Sequence, residues 1–464
     1  MKNNSLNFMK FVLILILAVS VSSCEWVDPD ININPDTPTE VPITFILPTI
    51  QANMAYDIGG NDIVRPTNMW MQYLNGHARQ SLAQARYIYT PSDVNNVWNS
   101  LYYNVLQDIR QIKISAEESN SLHFLGVARI LNAITLMAIA DLWGDAPWSE
   151  AIQGGAYLSP KLDSQQSIYV EAIKMLDSAV VNLQKENVGI PLNGDLIYDG
   201  NTAKWIGAAR AIKARALLVQ SKRNANAYSE VLAVLNQGGI ESTADNMVLF
   251  FNENAGVGHP LYQFMAERGD VNMGKTFVDM LNSDQDPRRA RYIAGGVYVG
   301  GDIGTEDSDG IGKPGSYAAA HNAGSWFITF AEQKFMQAEA LLPTDPAEAY
   351  KAYVAGAMSS LVQAGVDTTG IKETDFYDKL TEGGEAALTL ERIIRQKYIA
   401  LYNTMYSYND WRRTGYPSEI NDVLPANASI NTKPRRFPYG QSEITYNQNV
   451  SAVPITGRVW WDAE

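Results

Sequence analysis

The chain has 464 residues, and its 50 acidic residues outnumber its 36 basic residues, which gives a net charge of −14 at pH 7. A surface this acidic disfavours nucleic acids and anionic lipid surfaces as partners. Cys24 is the single cysteine, so no disulfide can form within the chain. The length permits two or three domains, but no clear linker divides the chain after residue 45, and we expect one large domain.

Residues 1–23 have the pattern of a secretory signal peptide. Lys2 and Lys10 frame its start, an apolar run covers residues 11–19, and small residues continue up to Cys24. This run is shorter than the ~20 residues that a membrane-spanning helix needs, and no later apolar stretch is expected to approach that length. We predict export, cleavage before Cys24 and lipidation of its thiol, which is the pattern of a bacterial lipoprotein. The mature chain then has 441 residues and a net charge of about −16.

Residues 24–44 contain four prolines among Asn, Asp and Thr, which predicts an extended tether. From residue 45 to residue 464 the apolar spacing is mostly helical, and Gly and Pro fall between the periodic segments. The predicted fold class is all-α, with tetratricopeptide-like helical hairpins of irregular period and long irregular loops. We predict helices over 94–117, 121–142, 166–184, 202–221, 228–235, 325–342, 346–364 and 388–406.

Two long segments interrupt this helical pattern. Residues 238–324 are rich in Gly, Asn, Asp and aromatic residues, and they are far longer than the ~2 to 8 residues that usually connect packed helices. Residues 407–464 are also irregular and contain five prolines. Long loops of this kind often carry binding residues, so we expect the insert over 238–324 to contribute to function.

The motifs of the common catalytic and metal sites are missing. His77, His123, His259 and His321 show no ligand spacing, which argues against a zinc site. No Gly-x-Ser-x-Gly sequence occurs, so nothing supports a hydrolase with a serine nucleophile. We predict no cofactor and no catalytic residue. Paired carboxylates for glycoside hydrolysis remain open, because sequence spacing says nothing about the distance between two carboxyl groups.

The loop over residues 301–315, GDIGTEDSDGIGKPG, resembles a phosphate-binding loop only in part. Asp307 stands where the first glycine is required, and Pro314 replaces the residue that would hold magnesium. Asp307, Asp309 and Gly310 also match a fragment of a calcium loop, but the later glutamate is missing. We therefore interpret the stretch as a solvated acidic loop and predict no metal.

Seven short motifs occur in order along the chain. They are ADLWGDAPWSEAI (140–152), DPRRARYI (286–293), FAEQKFMQAEALL (330–342), IIRQKYIALY (393–402), DWRRTGYP (410–417), PRRFPYGQSE (434–443) and VWWD (459–462). With the lipidation motif ahead of them, they make the chain resemble the SusD/RagB outer-membrane nutrient-binding lipoproteins of Bacteroidetes, specifically the SusD-like subgroup. Thr329 departs from the broader family, which often has arginine there, and we interpret it as a trait of the subgroup.

The resemblance implies a binding protein that is lipid-anchored at the cell surface and is not an enzyme. Such proteins form the lid of a TonB-dependent, SusC-like β-barrel transporter and help to deliver oligosaccharides, or in some members peptides, into it. The alternatives are a peptide-binding uptake lipoprotein, a surface-anchored glycoside hydrolase and a helical-repeat scaffold that binds only proteins. A hydrolase would need two carboxylates in a cleft, and a scaffold would bind no small ligand.

The chain has 24 tyrosines and 10 tryptophans, and such rings either fill cores or stack on sugars. Helical spacing among apolar residues assigns one group to the core, namely Trp98, Tyr102, Trp205, Tyr398 and Tyr402. The family resemblance places ligand contacts in two other regions, one ahead of the first predicted helix and one in the insert. The candidates are Trp70, Tyr73, Arg79, Tyr87 and Tyr89 in the first region, and Tyr262, Tyr292, Tyr298, Tyr317 and Trp326 in the second.

Arg412 and Arg413 lie in the motif DWRRTGYP. A motif shared by proteins with different ligands is better explained by the fold than by a ligand. We therefore predict that both arginines are structural, with their guanidinium groups bonded to helix-end carbonyls or to carboxylates such as Asp410. Trp411 is expected to cover this junction.

Overall fold

The structure is a computed structural model that describes residues 41–252 and 258–464, together with Phe8 and Lys10. The chain divides into two units, Met1–Pro42 and Ile43–Glu464. Nearly all of the predicted signal peptide, the predicted lipidation site and most of the predicted tether lie outside the described residues. The second unit begins with a helix at Ile43, two residues before the predicted start of the domain.

The second unit consists mainly of helices. In chain order they are α1 (Ile43–Asp57), α2 (Asn61–Trp70), α3 (Arg79–Ala85), α4 (Pro91–Ser100), α5 (Gln107–Glu118), α6 (Leu122–Trp143), α7 (Gln165–Gln184), α8 (Thr202–Val219), α9 (Ala227–Leu235), α10 (Pro260–Glu267), α11 (Lys275–Ser283), α12 (Arg289–Tyr292), α13 (Ser316–Ala319), α14 (Phe330–Leu341), α15 (Pro346–Gln363), α16 (Asp375–Thr381), α17 (Leu390–Ala400), α18 (Tyr406–Thr414) and α19 (Gln441–Tyr446). A π-helical segment, Leu101–Leu106, joins α4 to α5. Short 3₁₀ turns cover Gly154–Ala156, Thr243–Asp245, Ala294–Gly296, Ile371–Glu373, Gly384–Ala387 and Ser418–Ile420.

Among the residues that the structure describes, six short strands form three antiparallel pairs. The strands are β1 (Leu74–Gly76), β2 (Ala146–Pro147), β3 (Leu162–Asp163), β4 (Met247–Phe250), β5 (Val271–Met273) and β6 (Gly324–Ile328). β1 pairs with β5, β2 with β3, and β4 with β6. In the first pair Leu74 lies opposite Met273 and Gly76 lies opposite Val271. The β1–β5 pair ties the long insert to the helical body, and the β4–β6 pair joins the start of the insert to its end.

The predicted all-α class is confirmed, and most predicted helices match observed ones within a few residues. Hairpins form where consecutive helices pack together, as α6 does with α7, α8 with α9, and α14 with α15. Their cores hold small residues at close contacts, such as Ala208, Ala211 and Ala338, all fully buried. Asp345 starts α15 by accepting a hydrogen bond from the Glu348 backbone at 3.1 Å, and Pro346 follows it at the first helical position.

Two predicted helices are shorter in the structure than expected. The helix predicted over 325–342 starts only at Phe330, because the residues before it pair with β4 as strand β6. The Thr329 hydroxyl accepts a hydrogen bond from the Glu332 backbone at 3.1 Å and so caps the helix that follows. The helix predicted over 388–406 ends at Ala400, and Asn403 then adopts a left-handed φ of +64° before α18 begins.

Helix α6 lies at the centre of the body. Among the described residues it is the one helix long and apolar enough to cross a membrane by length and composition. The sequence prediction that no later stretch has this property was therefore wrong. However, 83% of its most apolar window is buried inside the body, so α6 is a core helix here. The predicted core aromatics pack around such helices, with Trp98, Trp205, Tyr398 and Tyr402 buried and Tyr102 half-buried.

Arg412 and Arg413 are buried structural residues, as predicted. The Arg412 guanidinium donates to the Asp141 carbonyl at 2.6 Å and to the Arg435 carbonyl at 2.9 Å. It also lies between the rings of Tyr408 and Trp461, 4.0 and 4.5 Å from their centroids. Arg413 forms an ion pair with Glu339 and bonds the Asp410 carboxylate at 2.9 Å. The two arginines therefore join α18 to α6 and α14.

Candidate ligand-binding groove

The β1–β5 pair brings together the two regions that the sequence singles out. The chain that follows β1 is bonded to the chain that precedes β5. The His77 backbone donates to the Asp270 carbonyl at 2.9 Å, and Arg79 donates to the Asp270 carboxylate at 3.0 Å and to the Arg268 carbonyl at 2.9 Å. The segment after β1 and the helix before β5 therefore border one surface.

A groove of about 360 Å³ lies on this surface. We call it the Arg65 groove, after its most buried charged residue. The end of α1, the start of α2 and helix α10 form its walls, and Gln80 closes one side. Its lining residues are Tyr56, Asp57, Asn61, Asp62, Arg65, Gln80, Pro260, Gln263, Phe264, Glu267 and Arg268. The volume and the concave shape are those of a small-molecule site.

Arg65 gives the groove unused hydrogen-bonding capacity. Its side chain is 6% exposed, its guanidinium lies 4.4 Å from the Phe264 ring centroid, and its Nη1 donates to the Ser81 hydroxyl at 2.7 Å. Burial lowers the pKa of Arg65, and Asp62 opposes this shift. The Nε of Arg65 and the Oδ1 of Asn61 are buried and have no hydrogen-bond partner. Because buried polar atoms normally find partners, this pair points to a ligand that supplies them.

Two carboxyl groups complete the polar wall. Burial raises the pKa of Asp57 to about 6, although the Ser100 hydroxyl donates to its carboxylate at 2.7 Å. The Asp62 carboxyl is exposed at the start of α2. The groove therefore offers donors and acceptors side by side, which suits a neutral ligand with many hydroxyl groups.

An aromatic edge, which we define as Phe250, Phe251, Tyr262, His321 and Trp326, borders the groove. Phe250 is 61% exposed and contacts the Trp326 ring at 5.6 Å between centroids. Tyr262 is 36% exposed and contacts the His321 ring at 4.9 Å. Phe251 contacts the ring of Tyr56, a lining residue of the groove, at 5.5 Å. Phe251 therefore joins the edge to the groove, and Tyr262 lies on α10, whose Pro260 and Gln263 line the groove.

The structure separates the predicted ligand residues into two groups. Trp70, Tyr73, Tyr87 and Tyr292 are at most 2% exposed, and they offer no ring face to a ligand. Trp70, for example, packs edge-on against Tyr89, Tyr408 and Phe437. As a correction, these four residues belong to the core. Tyr89 and Tyr317 are buried as well.

The remaining candidates lie near the surface but not all in one place. Tyr262 and Trp326 belong to the aromatic edge, where Trp326 is only 8% exposed. Arg79 donates to the Asp270 carboxylate and so fixes the border of the groove. Tyr298 is half-buried under the Arg289 guanidinium, 4.9 Å from its ring centroid, and it does not line the groove. The sequence did not predict the polar wall, because Asp57, Asp62 and Arg65 look like ordinary charged helix residues. The two consecutive aromatic residues Phe250 and Phe251 were the available sequence signal for the aromatic edge.

A larger cavity, of about 490 Å³, lies between α11 and the loop that contains Asp302. Four of its five charged side chains, namely Lys275, Asp279, Arg395 and Glu419, already have charged partners. Lys275 bonds Asp279 at 2.5 Å, and Arg395 bonds Asp284 and Glu419. A cavity whose charges neutralise each other attracts a polar ligand less than one with unpartnered groups, so we prefer the Arg65 groove.

No group of three or more His, Cys, Asp or Glu side chains among the described residues is arranged to hold a metal ion. In the loop predicted to be acidic and solvated, the Asp307 carbonyl accepts a hydrogen bond from Asn272 at 2.9 Å. Residues 306–310 are exposed.

Known structures share this fold. A SusD/RagB family protein from Bacteroides thetaiotaomicron is similar with a TM-score of 0.76 and 24% identity, over 91% of this chain and 99% of the other. A chitin-binding SusD homolog from Flavobacterium johnsoniae is similar with a TM-score of 0.75 and 21% identity, over 91% of this chain and 98% of the other. No curated protein matches the chain. The profile of the SusD-like family, described as starch-binding and associating with the outer membrane, matches residues 35–440, and the chain therefore belongs to this family.

Proposed function

We propose that the protein is a cell-surface lipoprotein, anchored through Cys24, that binds nutrient oligosaccharides and acts as the lid of a SusC-like, TonB-dependent transporter. The family description supports starch or related glycans as ligands and the outer membrane as the location. The chitin-binding homolog with the same fold also supports a glycan ligand. We expect binding without turnover.

The observation that carries this proposal is the combination of the Arg65 groove with the aromatic edge. Sugars present hydroxyl groups around a ring whose C–H faces are apolar. The unpartnered Arg65 Nε and Asn61 Oδ1 can bond hydroxyls, while Phe250 and Tyr262 offer exposed rings to a sugar face. Together the two features match the two kinds of surface that a sugar presents.

Replacing Phe250 and Tyr262 together with alanine is expected to weaken oligosaccharide binding at least tenfold. Each aromatic contact contributes on the order of 1 kcal/mol, and 1.4 kcal/mol corresponds to a tenfold change in Kd. A glycan array with starch, chitin and uronate-containing oligosaccharides would identify the ligand, and isothermal titration calorimetry would measure its Kd.

Tyr446→Ala is the matched control, because Tyr446 is 78% exposed and lies on α19, away from the groove lining. Its Kd should equal that of the unmodified protein. Equal Kd values for all variants would contradict binding at the aromatic edge, and release of shorter sugars from the ligand would favour the glycoside hydrolase instead.

The transporter partnership calls for a separate experiment. The tagged lipoprotein, with Cys24 intact, would be isolated from its native outer membrane in mild detergent, and its partners identified by mass spectrometry. A stoichiometric β-barrel transporter is the expected partner. With Cys24→Ala the protein should lose its membrane association, and recovery of the intact lipoprotein without a transporter would contradict the lid role.

A further inference from the structure

A second cavity, of about 310 Å³, lies between helices α5 and α6 and the loop after β2. Arg110, Lys113, Asn132 and Trp148 supply its polar and aromatic lining, and Leu106 and Ile152 are among its apolar walls. We call it the cationic cavity. It shares no lining residue with the Arg65 groove, and none of the predicted ligand residues lies in it.

The charges of this cavity are unusual for an acidic protein. Two cations line it, no carboxylate does, and neither Arg110 nor Lys113 forms an ion pair with any described residue. Burial lowers the pKa of half-buried Lys113, and the nearby Arg129 and Arg110 lower it further, against Glu117 and Glu171. Arg110 is exposed and Lys113 is half-buried, so both cations are free to bond an anion that enters the cavity.

Asn132 provides an independent sign of a ligand. It is 2% exposed, it lines the cavity, and its Nδ2 has no hydrogen-bond partner. A buried amide left without a partner costs free energy on the order of 1–3 kcal/mol. A bound polar group would remove this cost.

The wall that carries Trp148 is held in place. The backbone N–H groups of Trp148 and Ser149 donate to the Asp163 carboxylate at 3.0 and 2.6 Å, and the Ser149 hydroxyl donates to it at 2.9 Å. Asp163 itself lies on β3, paired with β2. The half-buried indole of Trp148 therefore lines a preformed cavity rather than a free loop.

We propose that the cationic cavity binds a carboxylate-bearing sugar. Arg110 and Lys113 would hold the carboxylate, Trp148 would pack against the sugar ring, and Asn132 would bond a hydroxyl. The volume fits one or two sugar rings. The inference that the ligand is a sugar rests on the proposed function. The inference that the ligand carries a negative charge rests on the residues of the cavity alone.

The test is isothermal titration calorimetry of the lipoprotein in mild detergent with D-glucuronate, D-glucose and inorganic sulfate. Glucuronate is expected to bind at least tenfold more tightly than either of the others. The double variant Arg110→Gln, Lys113→Gln should lose at least tenfold of this affinity, and Trp148→Ala should lose several-fold. Lys174→Gln with Lys351→Gln removes the same charge at sites that are 68% and 70% exposed, and it should change nothing.

Glucose binding equal to glucuronate binding would overturn the role of the carboxylate, and sulfate binding equal to glucuronate binding would overturn the role of the sugar ring. An unchanged affinity in the Arg110, Lys113 variant would overturn the site. The Phe250→Ala, Tyr262→Ala protein should retain full glucuronate affinity. If the unmodified protein binds glucuronate but no oligosaccharide on the array, that result would count against the Arg65 groove and not against the cationic cavity.

Discussion

Replacing Arg413 with alanine is expected to lower the free energy of unfolding by about 3–5 kcal/mol. Arg413 is 3% exposed and its partner Glu339 is 1% exposed. Burial acts against the charge of the guanidinium, but Glu339 and Asp410 outweigh it and hold the pKa of Arg413 above its usual range. Without Arg413, Glu339 keeps a hydrogen bond from the Tyr228 hydroxyl at 3.2 Å but has no cation, so a charge stays buried without a counter-ion.

Urea denaturation followed by circular dichroism would measure this change. Lys351→Ala is the control, because its ion pair with Glu348 is largely exposed and should contribute less than about 1 kcal/mol. The double variant Arg413→Ala, Glu339→Ala should be less destabilised than the sum of the two single variants. A change below about 1 kcal/mol for Arg413→Ala would contradict the structural role, and a stable variant without oligosaccharide binding would make Arg413 a ligand residue.

Replacing Lys433 with methionine is expected to stabilise the protein, most strongly at acidic pH. Lys433 is 5% exposed, its Nζ lies 3.5 Å from the Tyr87 hydroxyl and 5.6 Å from the Trp411 ring centroid, and it forms no ion pair with a described residue. Burial lowers the pKa of Lys433 from 10.5 to about 7. This difference corresponds to about 5 kcal/mol as an upper value.

The sign of the pH dependence follows from proton binding. Between pH 7 and pH 10.5 the unfolded chain holds a proton on Lys433 that the folded chain lacks, so stability rises with pH by up to about 1.4 kcal/mol per pH unit. Below pH 7 both states are protonated and the full cost of burying the charge is present. Lys433→Met removes this cost and leaves the Tyr87 hydroxyl without the lysine contact.

Thermal unfolding at pH 6 and at pH 10 would measure the effect. The melting temperature of Lys433→Met should exceed that of the unmodified protein at pH 6, and the difference should shrink at pH 10. Lys351→Met, at an exposed site, should show no such trend. A lower stability of Lys433→Met at pH 6 would show that the lysine is paired or solvated in the folded protein.

Local patterns predicted the helices well because their packing is itself periodic. Helix α6 is an exception, because it is buried on nearly all sides and has little amphipathic period. The length of its apolar run predicted it. The prediction failed at Trp326 and Phe327, since a five-residue apolar strand next to an amphipathic helix has no period of its own. Strand β6 exists because β4 lies beside it, and that contact joins segments that are far apart in the sequence.

The same limit explains the errors at the candidate site. Trp70 and Tyr73 lie in a polar segment that looked exposed, but residues from α17 and α18 and from the C-terminal segment cover them. Tyr73, for example, stacks on Tyr398 at 4.2 Å between ring centroids. The Arg65 groove was equally invisible, because the contact between Arg65 and Phe264 exists only after the fold has formed.

The β1–β5 pair has a consequence for the order of folding. The hydrogen bond between His77 and Gly269 beside it joins residues that are 192 positions apart. Closing so long a loop costs entropy before any contact repays it, so both walls of the groove can meet only after most of the chain has emerged and collapsed. Ligand binding would therefore report on completed folding. A bound sugar that contacts both walls would also stabilise the contact between the wall that is synthesised first and the wall that is synthesised later.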